Sequence, residues 1–249
     1  MSFLPRVVGH RGAPSLAPEN TLASFRAAAA TGVKAVEFDV ALTFDARPVV
    51  IHDASLERTT DGTGLLAEST LEAISGLDAG AWFDPSFAGE VVPTLEETID
   101  LLDALDLGAD MELKPDPGRE VETAEIALNV ARSCWPEETA PPVITSFSRV
   151  ALAAAKECVP EWPRGLCFEL LPEDWEEVAD SLGVSILCPN ADRLTGSQCA
   201  SMIAADFEIM AWTVNEEDKA ETLINWGVSS FCTDIPQVLR PALAGHGLV

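Results

Sequence analysis

Short apolar runs alternate with helical segments along almost the entire chain, and this alternation limits the possible folds more than any other feature. Strands that alternate with helices are typical of a parallel sheet whose outer face is covered by helices. The chain has 249 residues, and a (β/α)₈ barrel requires about 250. We therefore predict an α/β fold, a TIM barrel, formed by one domain that comprises residues 1–249. The strand-like runs are residues 6–9, 35–40, 48–52, 108–113, 142–147, 164–170, 185–188, 208–214 and 229–232.

Polar residues predict where several helices begin. Asn20, Asn215 and Asp234 each precede an apolar pattern of helical spacing, and their side chains can accept a hydrogen bond from an amide of the first turn. Thr94 and Glu97 have the spacing of a capping box, in which each side chain binds the backbone of the other residue. We therefore predict Asn20, Thr94, Asn215 and Asp234 as N-caps.

One strand-like run exceeds the number that an eight-stranded barrel needs. It is the run at residues 48–52, because too few residues separate it from the preceding run to form a helix. Parallel neighbours need a long crossover, whereas antiparallel neighbours need only a turn, so we predict a hairpin that extends from the second strand. If Asp45 and Ala46 form its turn, the register places His52 opposite Asp39.

Residues 54–93 interrupt the alternation. They are rich in Gly, Ser, Thr and Asp and contain one short helical pattern. A segment of this length outside the pattern is typical of an inserted subdomain or a lid. Its aromatic residues Trp82, Phe83 and Phe87 are expected either to form a small core or to line an apolar entrance.

Charged and polar residues gather where the predicted strands end. In barrels of this type the active site lies at the carboxyl ends of the strands, so these residues should converge on one rim and form an active site. They are His10 and Arg11 after the first strand, Glu37 and Asp39 in the second, His52 and Asp53 after the hairpin strand, Glu112 and Lys114 at the next, and Trp212 near the end of a later one.

Three carboxylates belong to this predicted rim. Glu37 and Asp39 are two residues apart, so on a strand both point to the same face, and Glu112 joins them from a neighbouring strand. Clustered like charges raise each other's pKa, and a divalent cation relieves the repulsion. Oxygen ligands favour a hard ion, so we predict a site for Mg²⁺ or Ca²⁺. The alternative is that each carboxylate pairs with a nearby Arg or Lys.

The chain has 3 histidines, and two of them fall beside these carboxylates. Imidazole titrates near neutral pH, which suits general acid and base catalysis. We therefore predict that His10 and His52 are catalytic, with one activating a nucleophile and the other protonating a leaving oxygen. Burial in the core and metal ligation are the alternatives. His246 lies in a glycine-rich tail and is predicted to be inert.

Arg11 and Lys114 supply positive charge in an acidic chain. Arg grips phosphate oxygens with a planar fork, and Lys acts as a point charge. Both are predicted to bind phosphate and to stabilise the extra charge of a phosphoryl transition state, with structural pairing to the carboxylates as the alternative. Trp212 is predicted either to form a flat wall for the alcohol part of a substrate or to pack within the barrel.

The net charge of −26 at pH 7 argues against polyanionic partners. Such a surface repels nucleic acid and anionic membranes, so we expect a small-molecule partner and no stable membrane association. The 6 cysteines include no CxxC pair, and several lie in apolar runs, which is typical of a reducing compartment. Because no apolar stretch has transmembrane length and the start resembles no signal peptide, we predict a cytoplasmic protein.

Short motifs also occur along the chain in a fixed order. They are Gly9-His10-Arg11-Gly12, Pro18-Glu19-Asn20-Thr21, Glu37-Phe38-Asp39-Val40, His52-Asp53, Arg58-Thr59-Thr60, Glu112-Leu113-Lys114, Ala211-Trp212-Thr213-Val214-Asn215 and Thr233-Asp234-Ile235-Pro236. Each motif is weak alone, but in this order and at these spacings they resemble the glycerophosphodiester phosphodiesterase family over residues 7–236. The chain departs from the family at Ala46, where glycine usually follows the aspartate of the hairpin turn. Residues 171–206 match only weakly and are expected to shape the alcohol pocket.

The resemblance implies hydrolysis of glycerophosphodiesters, such as glycerophosphocholine and glycerophosphoethanolamine, to sn-glycerol 3-phosphate and an alcohol. It also implies a barrel with an insertion after the second histidine, which fits residues 54–93. The implied roles are acid and base for His10 and His52, metal binding for Glu37, Asp39 and Glu112, and phosphate contact for Arg11 and Lys114, while Glu19, Asn20 and Asp53 border the site.

Other functions are compatible with part of this pattern. A lysophospholipase D or another phosphodiesterase of the same superfamily would keep the chemistry and change the substrate. A catalytically silent metabolite-binding barrel would lack a histidine or a metal carboxylate, and a metal-dependent aldolase would not need two such histidines. The sequence leaves open whether water or the glycerol 2-hydroxyl attacks phosphorus, and it leaves open the choice of metal and alcohol and the oligomeric state.

Overall fold

The strand-like runs form one sheet in the computed structural model, which describes residues 2–247. Every predicted strand is present, and the ends differ from the prediction by a few residues. The strands are β1 (Val7–Gly9), β2 (Ala35–Leu42), β3 (Pro48–Val50), β4 (Gly108–Leu113), β5 (Val143–Ser146), β6 (Arg164–Phe168), β7 (Ile186–Pro189), β8 (Glu208–Ala211) and β9 (Ser230–Thr233).

Eight of these strands close into a parallel barrel. The order around it is β1-β2-β4-β5-β6-β7-β8-β9, and pairing of β1 with both β2 and β9 closes the ring. β3 lies outside the ring and pairs with β2 in the antiparallel sense. A helix follows each barrel strand before the next one begins. The predicted TIM barrel is therefore confirmed.

The helices surround the barrel and bury alanine and leucine side chains against its outer face. No helix within residues 2–247 is long and apolar enough to cross a membrane. The α-helices are α1 (Leu22–Thr31), α2 (Leu71–Ile74), α3 (Leu95–Ala104), α4 (Glu120–Cys134), α5 (Arg149–Cys158), α6 (Trp175–Leu182), α7 (Gly196–Ala204), α8 (Glu217–Asn225) and α9 (Pro236–Gly245), and short 3₁₀ turns lie at Leu66–Glu68, Pro85–Phe87 and Ala191–Arg193.

Alternation along each strand divides the side chains between two cores. In β2, Val36 and Phe38 belong to the core between the barrel and the helices, whereas Glu37 and Asp39 point into the barrel. A second cluster, which includes Cys188, fills the barrel interior. Burial of each large apolar side chain contributes roughly 1.5–3 kcal/mol. The outer core can therefore stabilise the fold while the inward positions near the mouth stay polar.

The predicted hairpin is confirmed, but its register differs by one residue. The turn comprises residues 44–46 instead of the predicted two, because Ala46 adopts a left-handed conformation with a φ of 56° and lengthens the loop. Asp39 consequently faces Ile51, whose amide nitrogen lies 3.0 Å from the Asp39 carbonyl oxygen. The prediction that His52 lies opposite Asp39 was wrong.

One of the four predicted N-cap residues is confirmed. Thr94 and Glu97 form the expected capping box at the start of α3. The predictions for Asn20, Asn215 and Asp234 were wrong, because in each case the following residue occupies the N-cap position. The side chains of these three residues instead bind partners from other segments at the barrel mouth.

The segment between β3 and α3 buries a small hydrophobic core of its own. Leu56, Leu66 and Ile74 are at most 2% exposed and pack with residues of the hairpin rather than with the main core. The assignment of residues 54–93 as a subdomain inserted into a single barrel domain stays a prediction, which this separate core supports.

The aromatic residues of this segment pack against one another. The ring of Phe83 lies edge-on to those of Trp82 and Phe87, at centroid separations of 5.8 and 5.6 Å. Trp82 Nε1 also donates a hydrogen bond to the carbonyl oxygen of Ala79, at 2.8 Å. Trp82 is nevertheless 42% exposed, and none of these three residues belongs to the small core around Leu56, Leu66 and Ile74.

Candidate active site

The first strand ends in a tight turn that requires glycine at two positions. A Cβ atom at Gly9 would lie 2.2 Å from the carbonyl oxygen of Gly12, and one at Gly12 would lie 2.4 Å from Ser24 Oγ. Gly12 also has a φ of 92°, in the region that favours glycine. This turn brings His10 and Arg11 to the mouth of the barrel.

The cavity at the mouth has two lobes, of about 400 and 420 Å³. Both lobes are lined by His52, Glu112, Lys114 and Phe147, which form the boundary between them. The mouth lobe lies over the barrel and is further lined by His10, Arg11, Glu37, Glu169, Met210 and Trp212, among others. The side lobe extends beside the loop after β4 and is further lined by Asp53, Leu66, Pro115, Asp116, Pro117 and Ser148, among others.

Glu37, Asp39 and Glu112 come together as expected. Each contributes a carboxylate oxygen to a cluster in which these atoms lie within 4.8 Å of one another. Pairing of β2 with β4 places Asp39 beside Glu112, so backbone register determines the cluster. Asn20 Nδ2 donates a hydrogen bond to Asp39 Oδ2 at 2.8 Å, and the Arg11 amide donates one to Glu37 Oε2 at 2.9 Å.

Burial and mutual repulsion oppose ionisation of these carboxyl groups. Burial, followed by the charge of Asp39, raises the pKa of Glu37 well above its usual value. The same two causes raise the pKa of Glu112 to about 7, and burial raises the pKa of the neighbouring Asp110 to about 8. The cluster therefore holds more negative charge than its local cations offset.

The donor set fits a hard divalent cation. All three donors are carboxylate oxygens, the ligands that Mg²⁺ and Ca²⁺ prefer. Within residues 2–247, Glu112 Oε1 is buried and accepts no well-directed hydrogen bond, although Lys114 Nζ lies 3.2 Å away. The cluster can therefore hold a divalent metal ion, which would offset charge that the lysine leaves uncompensated.

Arg11 and Lys114 lie beside the cluster, so the pairing alternative also holds in part. Arg11 Nε is 3.4 Å from Asp39 Oδ2, and its Nη1 donates to Glu19 Oε1 at 2.6 Å. Lys114 Nζ is 3.2 Å from Glu112 Oε1 and 3.9 Å from Asp39 Oδ1. Burial lowers the pKa of both Arg11 and Lys114, but the nearby carboxylates together raise it by more, so the pKa of each is raised. Both side chains therefore stay charged at the mouth lobe.

His10 is placed by the strands of the barrel itself. Its Nδ1 lies 2.7 Å from Oδ1 of Asp234, which follows β9, the neighbour of β1. Asn215 holds Asp234 by donating from Nδ2 to Oδ2 at 2.7 Å and by accepting from the Asp234 amide at 2.8 Å. Because a carboxylate only accepts, Nδ1 carries a proton and Nε2, 3.9 Å from Glu37 Oε2, remains for chemistry.

His52 is placed by the segment that follows the hairpin. Its Nδ1 lies 2.6 Å from Asp53 Oδ1, and its Nε2 lies 3.3 Å from Lys114 Nζ. Burial lowers the pKa of His52 most, and the charge of Asp39 opposes this effect. The imidazole lines both lobes, so it stands at the boundary between them.

Arg58 links His52 to the turn after β1. Its guanidinium donates to Glu19 at 2.8 and 2.9 Å and to Asp53 at 2.5 and 2.9 Å. The bond from Arg58 is the largest cause of the strongly lowered pKa of Asp53. Glu19 and Asp53, which were expected only to border the site, therefore hold Arg11 and His52 in place.

Trp212 and Phe147 form an aromatic wall of the mouth lobe. Their rings meet edge to face at a centroid separation of 5.4 Å. Trp212 Nε1 donates to the carbonyl oxygen of Cys188 at 2.8 Å, and the ring packs on the interior cluster. Trp212 thus packs within the barrel and also lines the lobe, and its contact with a substrate stays a prediction.

His246 lies away from this cavity. It pairs with Glu221 and lies 3.8 Å from Glu217, between α8 and α9. It lines neither lobe, and the expectation that it is inert stays a prediction.

The sequence analysis assigned no role in the site to Asp110, Asp234, Arg58 or Glu169. Asp234 and Glu169 directly follow β9 and β6, so the rule that selected residues at strand ends would also have selected them. Asp110 is two residues before Glu112 and shares its inward face. Arg58 lies outside the strands, and its one signal was its place in the motif Arg58-Thr59-Thr60.

Known proteins resemble this chain over most of its length. The pattern of the glycerophosphoryl diester phosphodiesterase family matches residues 10–238. A glycerophosphodiester phosphodiesterase of Caldanaerobacter subterraneus is 34% identical over 238 residues, which cover 94% of this chain and 95% of that protein.

Solved structures show the same architecture. A phosphodiesterase of Oleispira antarctica, in complex with the product sn-glycerol-3-phosphate, is 38% identical with a TM-score of 0.95, covering 97% of this chain and 98% of that one. A glycerophosphodiester phosphodiesterase of Agrobacterium tumefaciens is 28% identical with a TM-score of 0.76, covering 96% of this chain and 100% of that one. The protein is an enzyme that hydrolyses phosphodiesters, and it belongs to the glycerophosphoryl diester phosphodiesterase family.

Proposed function

We propose that this enzyme hydrolyses glycerophosphodiesters to sn-glycerol 3-phosphate and an alcohol, with a divalent metal ion held by Glu37, Asp39 and Glu112. The observation that carries the proposal is that two carboxylate-bound histidines line one lobe together with Glu37 and Glu112 of the carboxylate cluster. The relative from Oleispira antarctica, whose structure contains sn-glycerol-3-phosphate, supports the product. Glycerophosphocholine and glycerophosphoethanolamine are the proposed substrates.

The phosphate is bound by Arg11 and Lys114. Arg11 keeps its charge and lines the mouth lobe, so its guanidinium can bind a phosphate oxygen. Lys114 Nζ lies between the carboxylate cluster and His52, where a point charge stabilises the negative charge that grows on the phosphoryl oxygens. A bound Mg²⁺ or Ca²⁺ would add Lewis-acid stabilisation of the same oxygens.

His10 acts as the base and His52 as the acid. His10 Nε2 removes the proton of the attacking hydroxyl, while Asp234 holds Nδ1 and stabilises the imidazolium that forms. As the bond between phosphorus and the alcohol oxygen breaks, His52 transfers a proton to that oxygen. The position of His52 at the boundary of the side lobe supports this role, because an alcohol can leave past it.

Two nucleophiles are compatible with the same residues. Water can attack phosphorus directly, or the glycerol 2-hydroxyl can attack first and form a cyclic phosphate that water then opens. ³¹P NMR during turnover distinguishes the routes, since only the second produces a transient cyclic phosphate signal.

The proposal is tested by measuring release of sn-glycerol 3-phosphate from glycerophosphocholine and glycerophosphoethanolamine with Mg²⁺, with Ca²⁺ and with chelator. We expect metal-dependent release that His10→Ala and His52→Ala each reduce by about 10²–10⁴-fold. The more active ion identifies the metal. Lack of release by folded, metal-loaded enzyme would contradict the substrate class.

A lysophospholipid substrate is less well supported. Such a substrate requires an apolar surface for its acyl chain, and Trp82, Phe83 and Phe87 were the expected source. None of them lines either lobe. The cytoplasmic location stays a proposal, supported by cysteines that are all unpaired within the described part of the chain.

A further inference from the structure

Apart from the boundary residues that it shares with the mouth lobe, the side lobe is lined by residues to which the proposed phosphate chemistry assigns no role. It has a volume of about 420 Å³ and meets the mouth lobe at His52, Lys114 and Phe147. This volume falls in the range of small-molecule sites. Residues 171–206, which were expected to shape the alcohol pocket, line neither lobe.

We propose that the side lobe binds the leaving alcohol and that Asp116 makes it selective for alcohols that carry a cationic amine. The inference rests on the proposed function, because it concerns the group that the phosphodiester releases. The proposal gives the side lobe a ligand class and names Asp116 as the residue that determines specificity. The roles proposed for the metal-binding and phosphate-binding residues do not account for this part of the cavity.

The positions of the histidines assign one part of the substrate to each lobe. His10 lines only the mouth lobe, together with the hydrogen-bonding groups of Thr145 and Glu169, which suit the glycerol hydroxyls. His52 lines both lobes. A group that leaves phosphorus on the side of His52 therefore enters the side lobe as its oxygen is protonated.

Charge defines the kind of alcohol. Asp116 is half-buried in the lining of the side lobe, and among residues 2–247 its carboxylate has no hydrogen bond or salt bridge. The neighbouring cations face other carboxylates, since Lys114 Nζ lies 3.2 Å from Glu112 Oε1 and Arg119 Nε donates to Glu122 Oε2 at 2.7 Å. A carboxylate without a protein partner is available to an ammonium group of the ligand.

The rest of the lobe suits the carbon atoms of an amino alcohol. Pro115 and Phe147 are among the apolar residues that line the same lobe as Asp116. The lobe thus combines the carboxylate of Asp116, which has no partner among the described residues, with apolar lining residues, and this combination suits a small ammonium alcohol.

The test compares wild type with Asp116→Asn on glycerophosphocholine and glycerophosphoethanolamine, whose alcohols are cationic, and on glycerophosphoglycerol, whose alcohol is neutral. We expect kcat/KM for the cationic pair to fall about fivefold, mainly through KM, and kcat/KM for the neutral diester to stay the same. Asp116→Lys should lower the ratio of kcat/KM for the cationic pair to kcat/KM for the neutral diester further, by about tenfold or more. The preference should also weaken at high salt, because part of it is electrostatic.

Asp103→Asn is the matched control, because Asp103 is an exposed acid on α3 that lines neither lobe. It should leave both kcat/KM values unchanged. An unchanged ratio in both Asp116 variants would overturn the assignment of the side lobe while leaving the proposed function intact. If wild-type enzyme hydrolysed none of the three diesters, the proposed function and this inference would both fail.

Discussion

The two histidines have the same kind of partner but depend on different parts of the molecule. His10 follows a barrel strand, and its carboxylate, Asp234, follows the adjacent strand. His52 follows the hairpin strand outside the barrel, and its carboxylate, Asp53, is held by Arg58 of the insertion. Backbone register therefore places the first pair, whereas ion pairs between side chains place the second. The proposed base therefore depends on the barrel strands, whereas the proposed acid depends on side-chain contacts that can be altered separately.

The largest expected effect separates the chemical roles of the two histidines. We expect His52→Ala to lower kcat/KM on glycerophosphocholine by about 10³-fold but to have far less effect on a glycerophosphodiester of p-nitrophenol, because p-nitrophenolate leaves without a proton. His10→Ala should impair both substrates equally, since each still requires a base. Steady-state rates on the two substrates provide the measurement. If each variant lost the same factor on both substrates, neither histidine would act as the acid. If His10→Ala, rather than His52→Ala, had the smaller effect on the p-nitrophenol diester, the two roles would be exchanged.

A smaller loss of kcat is expected when the side chains that hold His10 and His52 in place are changed. Asp234→Asn removes the carboxylate that orients His10 and should lower kcat by about 100-fold. Arg58→Gln leaves the carboxylate of Asp53 in place and should lower kcat by about tenfold, with partial recovery in Arg58→Lys. Asp53 would then interact more strongly with His52 and raise its pKa. Because the acid must be protonated, the alkaline limb of the pH profile should move to higher pH.

Arg149→Gln controls for the loss of a surface ion pair. Arg149 binds both oxygens of Asp174 at 2.8 and 3.1 Å, away from the cavity. This variant should keep the wild-type rate and pH profile. If Arg58→Gln lost stability but kept the wild-type pH profile, its role would be structural and the proposed link to His52 would be wrong.

Metal binding should also distinguish the barrel from the insertion. The three carboxylates lie on β2 and β4, so an ion at ten times its Kd should stabilise the fold by about 1.4 kcal/mol and raise Tm by about 3–6 °C. Hydrogen exchange should slow in β2 and β4 more than in residues 54–93. Glu112→Gln should abolish most of the shift. Equal protection of both regions would show that the insertion is coupled to the metal site more tightly than the contacts indicate.

The fold could be predicted because local periodicity determines most of it. Every barrel strand appears as a short apolar run, and the hairpin follows because the gap before Pro48 is too short for a helix. The register of that hairpin could not be predicted in the same way. It depends on whether Ala46 adopts a left-handed conformation, which alanine rarely does and glycine does readily.

The site could be predicted only as far as strand ends reveal it. That rule found His10 and Glu112, but Asp234 was interpreted as a helix cap because it also precedes a helical pattern. Local sequence does not determine whether its side chain turns toward the helix or across to His10. Arg58 has a partner 39 residues away, Glu19, and no local pattern indicates a contact at that distance.

The smallest expected effect tests the conformation of the hairpin that leads to His52. Ala46 has a φ of 56°, so Ala46→Gly relieves strain at the turn but adds freedom to the unfolded chain, for a net gain of about 0.5–1 kcal/mol. Ala88→Gly is the control, because Ala88 has a φ of −55° and should lose stability. Thermal and denaturant unfolding measure both, and activity should not change. If Ala46→Gly destabilised the protein as much as Ala88→Gly, residue 46 would not be left-handed, and the two-residue turn that places His52 opposite Asp39 would be the better description.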